Sequence, residues 1–168
     1  MTANSWIQLA LFLGALVALA KPLGSYMARV LEGKPCGLDR ALGWCERGVY
    51  RLAGVDPQQE MGWRTYAFAV MAFNLLGIAA VYLLLRLQGA LPLNPQGFAG
   101  TTPDLAFNTA VSFASNTNWQ SYGGETTLAY LSQMLGLTVQ NFVSAATGIA
   151  VLAALIRGLV RRSATTIA

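Results

Sequence analysis

The fold class this sequence predicts is an all-α integral membrane protein, and three observations predict it. Only 11% of its 168 residues are charged, against about 25% in soluble domains. Three runs, Met1–Ala20, Tyr66–Leu85 and Thr126–Ile156, carry no charge. Each is long enough to cross roughly 30 Å of hydrocarbon as a helix, which takes about 18 residues or more. Between the second and third runs, a short apolar helix leads into a polar turn. That is the pattern of a hairpin entering a bilayer without crossing it.

The first run ends in Ala18-Leu19-Ala20, which is like a signal-peptide cleavage site. A secretory signal carries its positive charge before the apolar core, whereas here the first cation, Lys21, follows it. Residues 1–30 are therefore read as a spanning helix with its amino end outside. Seven basic residues follow between Lys21 and Arg64, none lies in the 70 residues from Leu87 to Ile156, and Arg157, Arg161 and Arg162 then come together. By the positive-inside rule, residues 31–64 are cytoplasmic and the second helix runs outward. The region around 88–127 is then external, and the third helix returns inward. Arg86, at the external end of the second helix, is the misfit; snorkelling to the interface would accommodate it.

Within the cytoplasmic segment a short helix is expected from Arg40 to Leu52, with Asp39 as N-cap and Gly54 near its stop. At 100° per residue, Leu42, Cys45, Val49 and Leu52 share one face, and Arg40, Arg47 and Arg51 share the other. This suits a helix lying in the membrane interface, or one packed on another cytoplasmic domain.

The external region opens on the turn-rich Leu91-Pro92-Leu93-Asn94-Pro95-Gln96-Gly97. In the segment Thr102–Ala114, Thr102 is a good N-cap, Pro103 fits the first helical position, and Asp104 suits the positive helix start. About a dozen residues reach only some 18 Å, roughly half the bilayer. The run Ser115–Glu125 that follows is small and polar, with neither helical nor strand periodicity. Two readings are open: a re-entrant hairpin, or an external loop carrying a surface helix. In the first, the carboxyl end of the half-helix brings partial negative charge to the membrane interior. Non-helical backbone there lines a water-filled path or is buried in protein. The carbonyl oxygens of Ser115, Asn116, Thr117 and Asn118 would then face a shared axis and replace the hydration shell of a small cation. Asn enters the left-handed backbone region more readily than most residues, so Asn116 or Asn118 could serve where other filters use Gly. Asp104 and Glu125 would attract a cation to the mouth.

Thr126 is expected to cap a short helix from Thr127 to Leu135, which Gly136 breaks. The third spanning helix follows from Leu137 to Val160. Its polar Gln140, Asn141, Ser144 and Thr147, like Asn74 in the second helix, either pack against other helices or line a pore.

An autonomous enzyme is disfavoured. The chain has no His, no Gly-rich phosphate loop and no paired carboxylates, and its two cysteines, Cys36 and Cys45, show no metal-ligand spacing.

Two stretches, Asn108-Thr109-Ala110-Val111-Ser112-Phe113 and Asn116-Thr117-Asn118-Trp119-Gln120-Ser121-Tyr122, together with Gly124-Glu125-Thr126-Thr127-Leu128, resemble the first pore loop of the KdpA family. These are the potassium-binding subunits of bacterial Kdp potassium-transporting P-type ATPases. Ala20-Lys21-Pro22-Leu23-Gly24, Leu91–Gln96, Ser132-Gln133-Met134, Gly136–Phe142, Gly148–Val151 and Ala154–Arg157 extend the likeness over nearly the whole chain. The resemblance implies the fold of the potassium channel and transporter superfamily: one extra transmembrane helix (1–30), the cytoplasmic loop (31–64) and one helix–pore loop–helix repeat (65–168). It implies potassium as the transported ion, held by backbone carbonyls of Asn116 and Thr117 in a filter of Ser115, Asn116, Thr117 and Asn118, with Trp119 and Gln120 adjacent. It implies a multi-pass protein of the bacterial inner membrane. KdpB would be the ATP-hydrolysing partner and KdpC and KdpF further subunits; membrane lipid surrounds it, and no nucleic acid is involved. The family has four such repeats and this chain reaches only one, so a fragment, a split gene product or an incomplete reading frame is expected, unable to conduct alone. The filter also lacks Gly. A stand-alone, self-associating cation channel without an ATPase partner is the alternative, and an accessory membrane subunit with no ion role is a third.

Overall fold

The structure, a computed structural model, describes residues 3–35, 37, 39–56 and 59–160. Cys36, Arg161 and Arg162, singled out above, lie outside them. Among the described residues every regular element is helical. Three helices are long and apolar enough to cross a membrane: Asn4–Leu31, Trp63–Ala90 and Ser132–Val160. The chain divides into two compact units, Met1–Gln58 and Gln59–Ala168.

The first unit contains α1 (Ala3–Leu31) and α2 (Asp39–Ala53). Helix α1 continues through Pro22, which removes one backbone donor. Both helices end the same way. After α1, Gly33 takes φ +66°; its N–H bonds Val30 O at 3.1 Å, and the Lys34 N–H bonds Arg29 O at 2.9 Å. After α2, Gly54 takes φ +64°, with Gly54 N–H to Arg51 O at 3.4 Å and Val55 N–H to Tyr50 O at 3.0 Å. These crossed bonds satisfy the last carbonyls of each helix, and the left-handed residue between them favours glycine. Asp39 is the first residue of α2 rather than the cap before it. Leu42, Cys45, Val49 and Leu52, which share its apolar face, are exposed.

The second unit contains α3 (Trp63–Leu87), which tightens into a 3₁₀ turn at Gln88–Ala90, then α4 (Pro103–Ala114), α5 (Gly124–Thr127) and α6 (Val139–Val160). A π-helical stretch, Ser132–Thr138, runs directly into α6. Gly136 therefore does not break the helix as expected; it is buried inside it, and a Cβ there would only touch Leu84, at 3.6 Å. Nor does Thr126 cap a helix. It lies within α5, whose N-cap is Gly123, and donates its hydroxyl to Gly123 O at 3.2 Å. The break falls earlier, at extended Leu128.

Helix α4 packs against both α3 and α6. Its buried residues Ala106, Thr109, Ala110 and Phe113 follow the i, i+3, i+4, i+7 spacing of one helical face. Ala106 and Ala110 are fully buried against a core that includes Val81, Leu85, Leu128 and Leu137. Small residues at such a contact let backbones approach closely, which is how helices gain packing energy in lipid. Where α3 meets α6, Gly77 leaves room for the Gln140 side chain, whose Oε1 lies 2.7 Å from where a Cβ would stand.

A buried amide explains the break at Leu128. Gln88 is fully buried. Its Nε2 donates to Ala99 O (2.7 Å) and Thr127 O (2.9 Å). Its Oε1 accepts from Ala129 N–H and from the Ser132 hydroxyl, both at 3.1 Å. Thr127 O and Ala129 N–H are the groups a continuous helix would pair internally; a side chain forty residues away takes them instead. Gln133 helps, donating from Nε2 to Gly124 O (3.1 Å) and Leu128 O (3.0 Å). The Arg86 guanidinium likewise donates to Thr101 O, and Thr101 N–H bonds Leu85 O at 3.1 Å. Gly100 lets these strands of backbone meet, since a Cβ would collide with Arg86 O.

Replacing Gln88 by Leu strips partners from two carbonyls, one N–H and one hydroxyl. At about 1–3 kcal/mol for each buried group left unpaired, the loss should reach about 3 kcal/mol or more. A large drop in the thermal unfolding midpoint of the detergent-solubilised protein is expected for Gln88→Leu and for Gly100→Ala; midpoints at the wild-type value would refute this account of the break.

Candidate functional site

The expected site lies at the carboxyl end of α4, and the start of that helix is built as its sequence dictates. Thr102 is the N-cap, its hydroxyl accepting from Leu105 N–H at 3.4 Å; Pro103 opens the helix and Asp104 sits in the first turn. The last turn delivers the chain to Ser115 with the same crossed bonds that close α1 and α2. Asn116 N–H bonds Phe113 O at 3.3 Å and Thr117 N–H bonds Ser112 O at 2.9 Å. The left-handed residue between them is here not glycine but Asn116, at φ +58°.

The loop then departs from an ordinary helix end. Asn118 is left-handed too, at φ +56°, and its N–H also turns back to Ser112 O, at 3.2 Å. The Ser115 hydroxyl joins the same acceptor at 3.2 Å and lies 2.9 Å from the Thr117 hydroxyl. The Ser112 hydroxyl in turn donates to Trp119 O at 3.0 Å. Ser112, itself buried, thus holds both ends of the loop.

The outcome is a sorting of polar groups. The N–H groups of Ser115, Asn116, Thr117 and Asn118 are all bonded inward to α4. Among the described residues, no donor bonds the carbonyl oxygen of any of these four. All four residues are exposed in this chain. Four consecutive carbonyls without donors beside the carboxyl end of a helix make a locally negative, oxygen-lined surface. No Lys or Arg occurs from Leu87 to Ile156 to oppose it. Among the described residues no group of three or more His, Cys, Asp or Glu gathers, so the oxygens on offer at the loop are backbone carbonyl, hydroxyl and amide oxygens, the hard donors that suit alkali and alkaline-earth cations.

The structure brings Ser115, Asn116, Thr117 and Asn118 together in this one loop. Trp119 and Gln120 follow it with exposed side chains. Asp104 stands at the far end of α4, about 18 Å away along a twelve-residue helix. The polar residues of the spanning helices divide by role. Asn74 donates to Val70 O at 2.8 Å and Thr147 to Val143 O at 3.0 Å, each closing on its own helix. Gln140 packs against Gly77. Ser144 alone among these reaches the loop, its hydroxyl 3.4 Å from Asn116 Oδ1. Ser112 was missed in sequence as a site residue because nothing in an apolar helical stretch marks one serine as the anchor of the turn that follows.

A family model described as KdpA, potassium-transporting ATPase A subunit, matches residues 10–168. A protein of Methylococcus capsulatus named potassium-transporting ATPase potassium-binding subunit is 64% identical over 167 residues, covering 99% of this chain and 28% of the relative. Relatives of the same name from Sorangium cellulosum and Chromobacterium violaceum are 63% and 61% identical, each over 99% of this chain and over 29% and 28% of their own lengths. The chain therefore spans under a third of the length of these relatives.

The left-handed conformation at Asn118 sets a simple test. A β-branched residue there should cost about 1–2 kcal/mol, whereas Gly should be tolerated. Thermal unfolding of Asn118→Val and Asn118→Gly in the detergent-solubilised protein should show the first lowered and the second near wild type; equal midpoints would mean the loop does not hold this backbone.

Proposed function

The chain belongs to the KdpA family of potassium-transporting ATPase A subunits, and we propose that it forms the amino-terminal part of a potassium-binding and translocating subunit of an ATP-driven uptake system. In this reading α3, α4, the loop after it and α6 are one helix–pore loop–helix repeat, and Ser115–Asn118 is its strand of the selectivity filter. The observation that carries it is the loop's sorting of polar groups: N–H bonded back to Ser112 and its neighbours, carbonyls left for a ligand.

A potassium ion entering from outside sheds water only if protein oxygens replace it. Backbone carbonyls of Asn116 and Thr117 are the principal ligands offered here, with Ser115 and Asn118 flanking them. They carry partial rather than full negative charge, so an ion can leave as well as bind. One repeat supplies about a quarter of such a cage, and the remainder comes from the part of the subunit beyond this chain. The ion then passes to the ATPase subunit, KdpB, in a complex with KdpC and KdpF. The subunit hydrolyses nothing itself. Its membrane is the bacterial inner membrane, with the basic residues from Lys21 to Arg64 on the cytoplasmic side, and α2 rests its apolar face in the interface.

Gln120 follows the loop directly, so a charge there acts on the ion by Coulomb's law. At an effective dielectric constant of about 20, a unit positive charge about 10 Å away opposes cation binding by about 1–2 kcal/mol. With this chain in place as the amino-terminal part of a full-length subunit in its complex, Gln120→Arg should raise the potassium concentration for half-maximal uptake about tenfold. Gln120→Glu should not raise it. Uptake at low potassium unchanged in Gln120→Arg would favour an accessory role with no ion contact.

A further inference from the structure

We propose that Ser144 of α6 is a positioning residue for ion discrimination, acting through the side chain of Asn116. This rests on the filter reading above. Ser144 is buried, with 4% of its surface exposed. It sits where α6 packs on α4. Its hydroxyl lies 3.2 Å from Asn141 O in its own helix and 3.4 Å from Asn116 Oδ1 across the gap. One hydroxyl proton is thus placed between two acceptors, one in the rigid helix and one in the loop. A turn earlier, the Asn141 side-chain oxygen is buried without a hydrogen-bond partner among the described residues, so this part of α6 presents polar groups toward its packed surroundings, not toward lipid.

The comparison that gives the contact meaning lies within the chain. Three helices close with the same crossed bonds, and Gly33 and Gly54 fill the left-handed position after α1 and α2. Glycine takes that conformation without steric cost, whereas most L-residues other than Asn or Asp are strained there. What the asparagine at 116 adds to its backbone role is an oxygen that α6 can hold. Fixing that side chain restrains the φ and ψ of Asn116. These angles aim the carbonyls of Ser115 and Asn116, the first oxygens of the filter strand. The Ser112 bonds hold the loop to the end of α4; the Ser144 contact ties it to a second, independent helix. Discrimination between ions of like charge depends on where such oxygens stand and how firmly they are held.

The test uses the full-length subunit in its complex, with this chain as the amino-terminal part, and measures half-saturating potassium together with the ratio of potassium to rubidium uptake. Ser144→Ala and Asn116→Gly remove the same contact from its two sides. Each should raise half-saturating potassium and lower the ratio by about threefold to tenfold, the range of one modest hydrogen bond. The double variant should go no further than either single one, and Ser144→Thr, which keeps the hydroxyl, should restore the wild-type ratio. Asn116→Gly eases the backbone, so it reads out the contact even if Ser144→Ala fails to assemble. If Ser144→Ala and Asn116→Gly leave both quantities at wild type while Gln120→Arg shifts affinity, the bracing role is overturned and the filter reading stands. If Gln120→Arg also changes nothing, the filter reading fails and this inference with it. Additive effects in the double variant would likewise overturn it, since the two residues would then act separately.

Discussion

The carbonyl oxygen of Ser112 is the point on which a plain feature of this chain, a turn after a short helix, becomes something else. It accepts from Thr117 N–H, Asn118 N–H and the Ser115 hydroxyl. Gathering donors on one acceptor leaves the carbonyls of the loop with none. In water that would have little consequence. In an apolar medium an unpaired carbonyl costs several kcal/mol, so a loop with four of them is stable only if something else, such as water or a cation, supplies the missing interaction. Two left-handed asparagines make the arrangement sterically accessible, because Asn tolerates that region better than other non-glycine residues.

Elsewhere in the unit, backbone groups are paired by side chains instead. The Gln88 side chain makes four hydrogen bonds and is wholly buried. It closes the interruption between α5 and the long helix that follows, leaving Thr127 O and Ala129 N–H paired. Asn94 does similar work in the preceding loop, accepting from Phe98 N–H and donating to Phe98 O and Gln88 O. Side-chain amides, each with a donor and an acceptor end, suit this task because they replace a missing peptide partner in kind.

Much of α4 was legible because its signals are local. Thr102, Pro103 and Asp104 occupy the positions that begin a helix, and its length follows from where the apolar residues stop. The stop of α2 at Gly54 is local for the same reason. Apart from the one-residue shift at Asp39, the errors are non-local. Gly136 looked like a breaker, yet the helix passes through it as a π-helical stretch packed beside Leu84. Thr126 looked like a cap, yet the break comes at Leu128 because Gln88, far back in the sequence, takes the backbone groups around it. Ser112 gave no sign of its role, since a serine in an apolar helix reads the same whether it bonds its own backbone or another segment.

The amino-acid sequence by itself determined which stretches are apolar enough to span a membrane, where the short helix α4 begins, and that asparagine would supply the left-handed backbone after it. Those properties depend on hydrophobicity and on steric preferences within a few residues. Only the tertiary structure decided which polar groups find partners and which do not. That choice depends on which distant side chains, above all Gln88 and Ser144, arrive within hydrogen-bond reach, and no short-range preference encodes it.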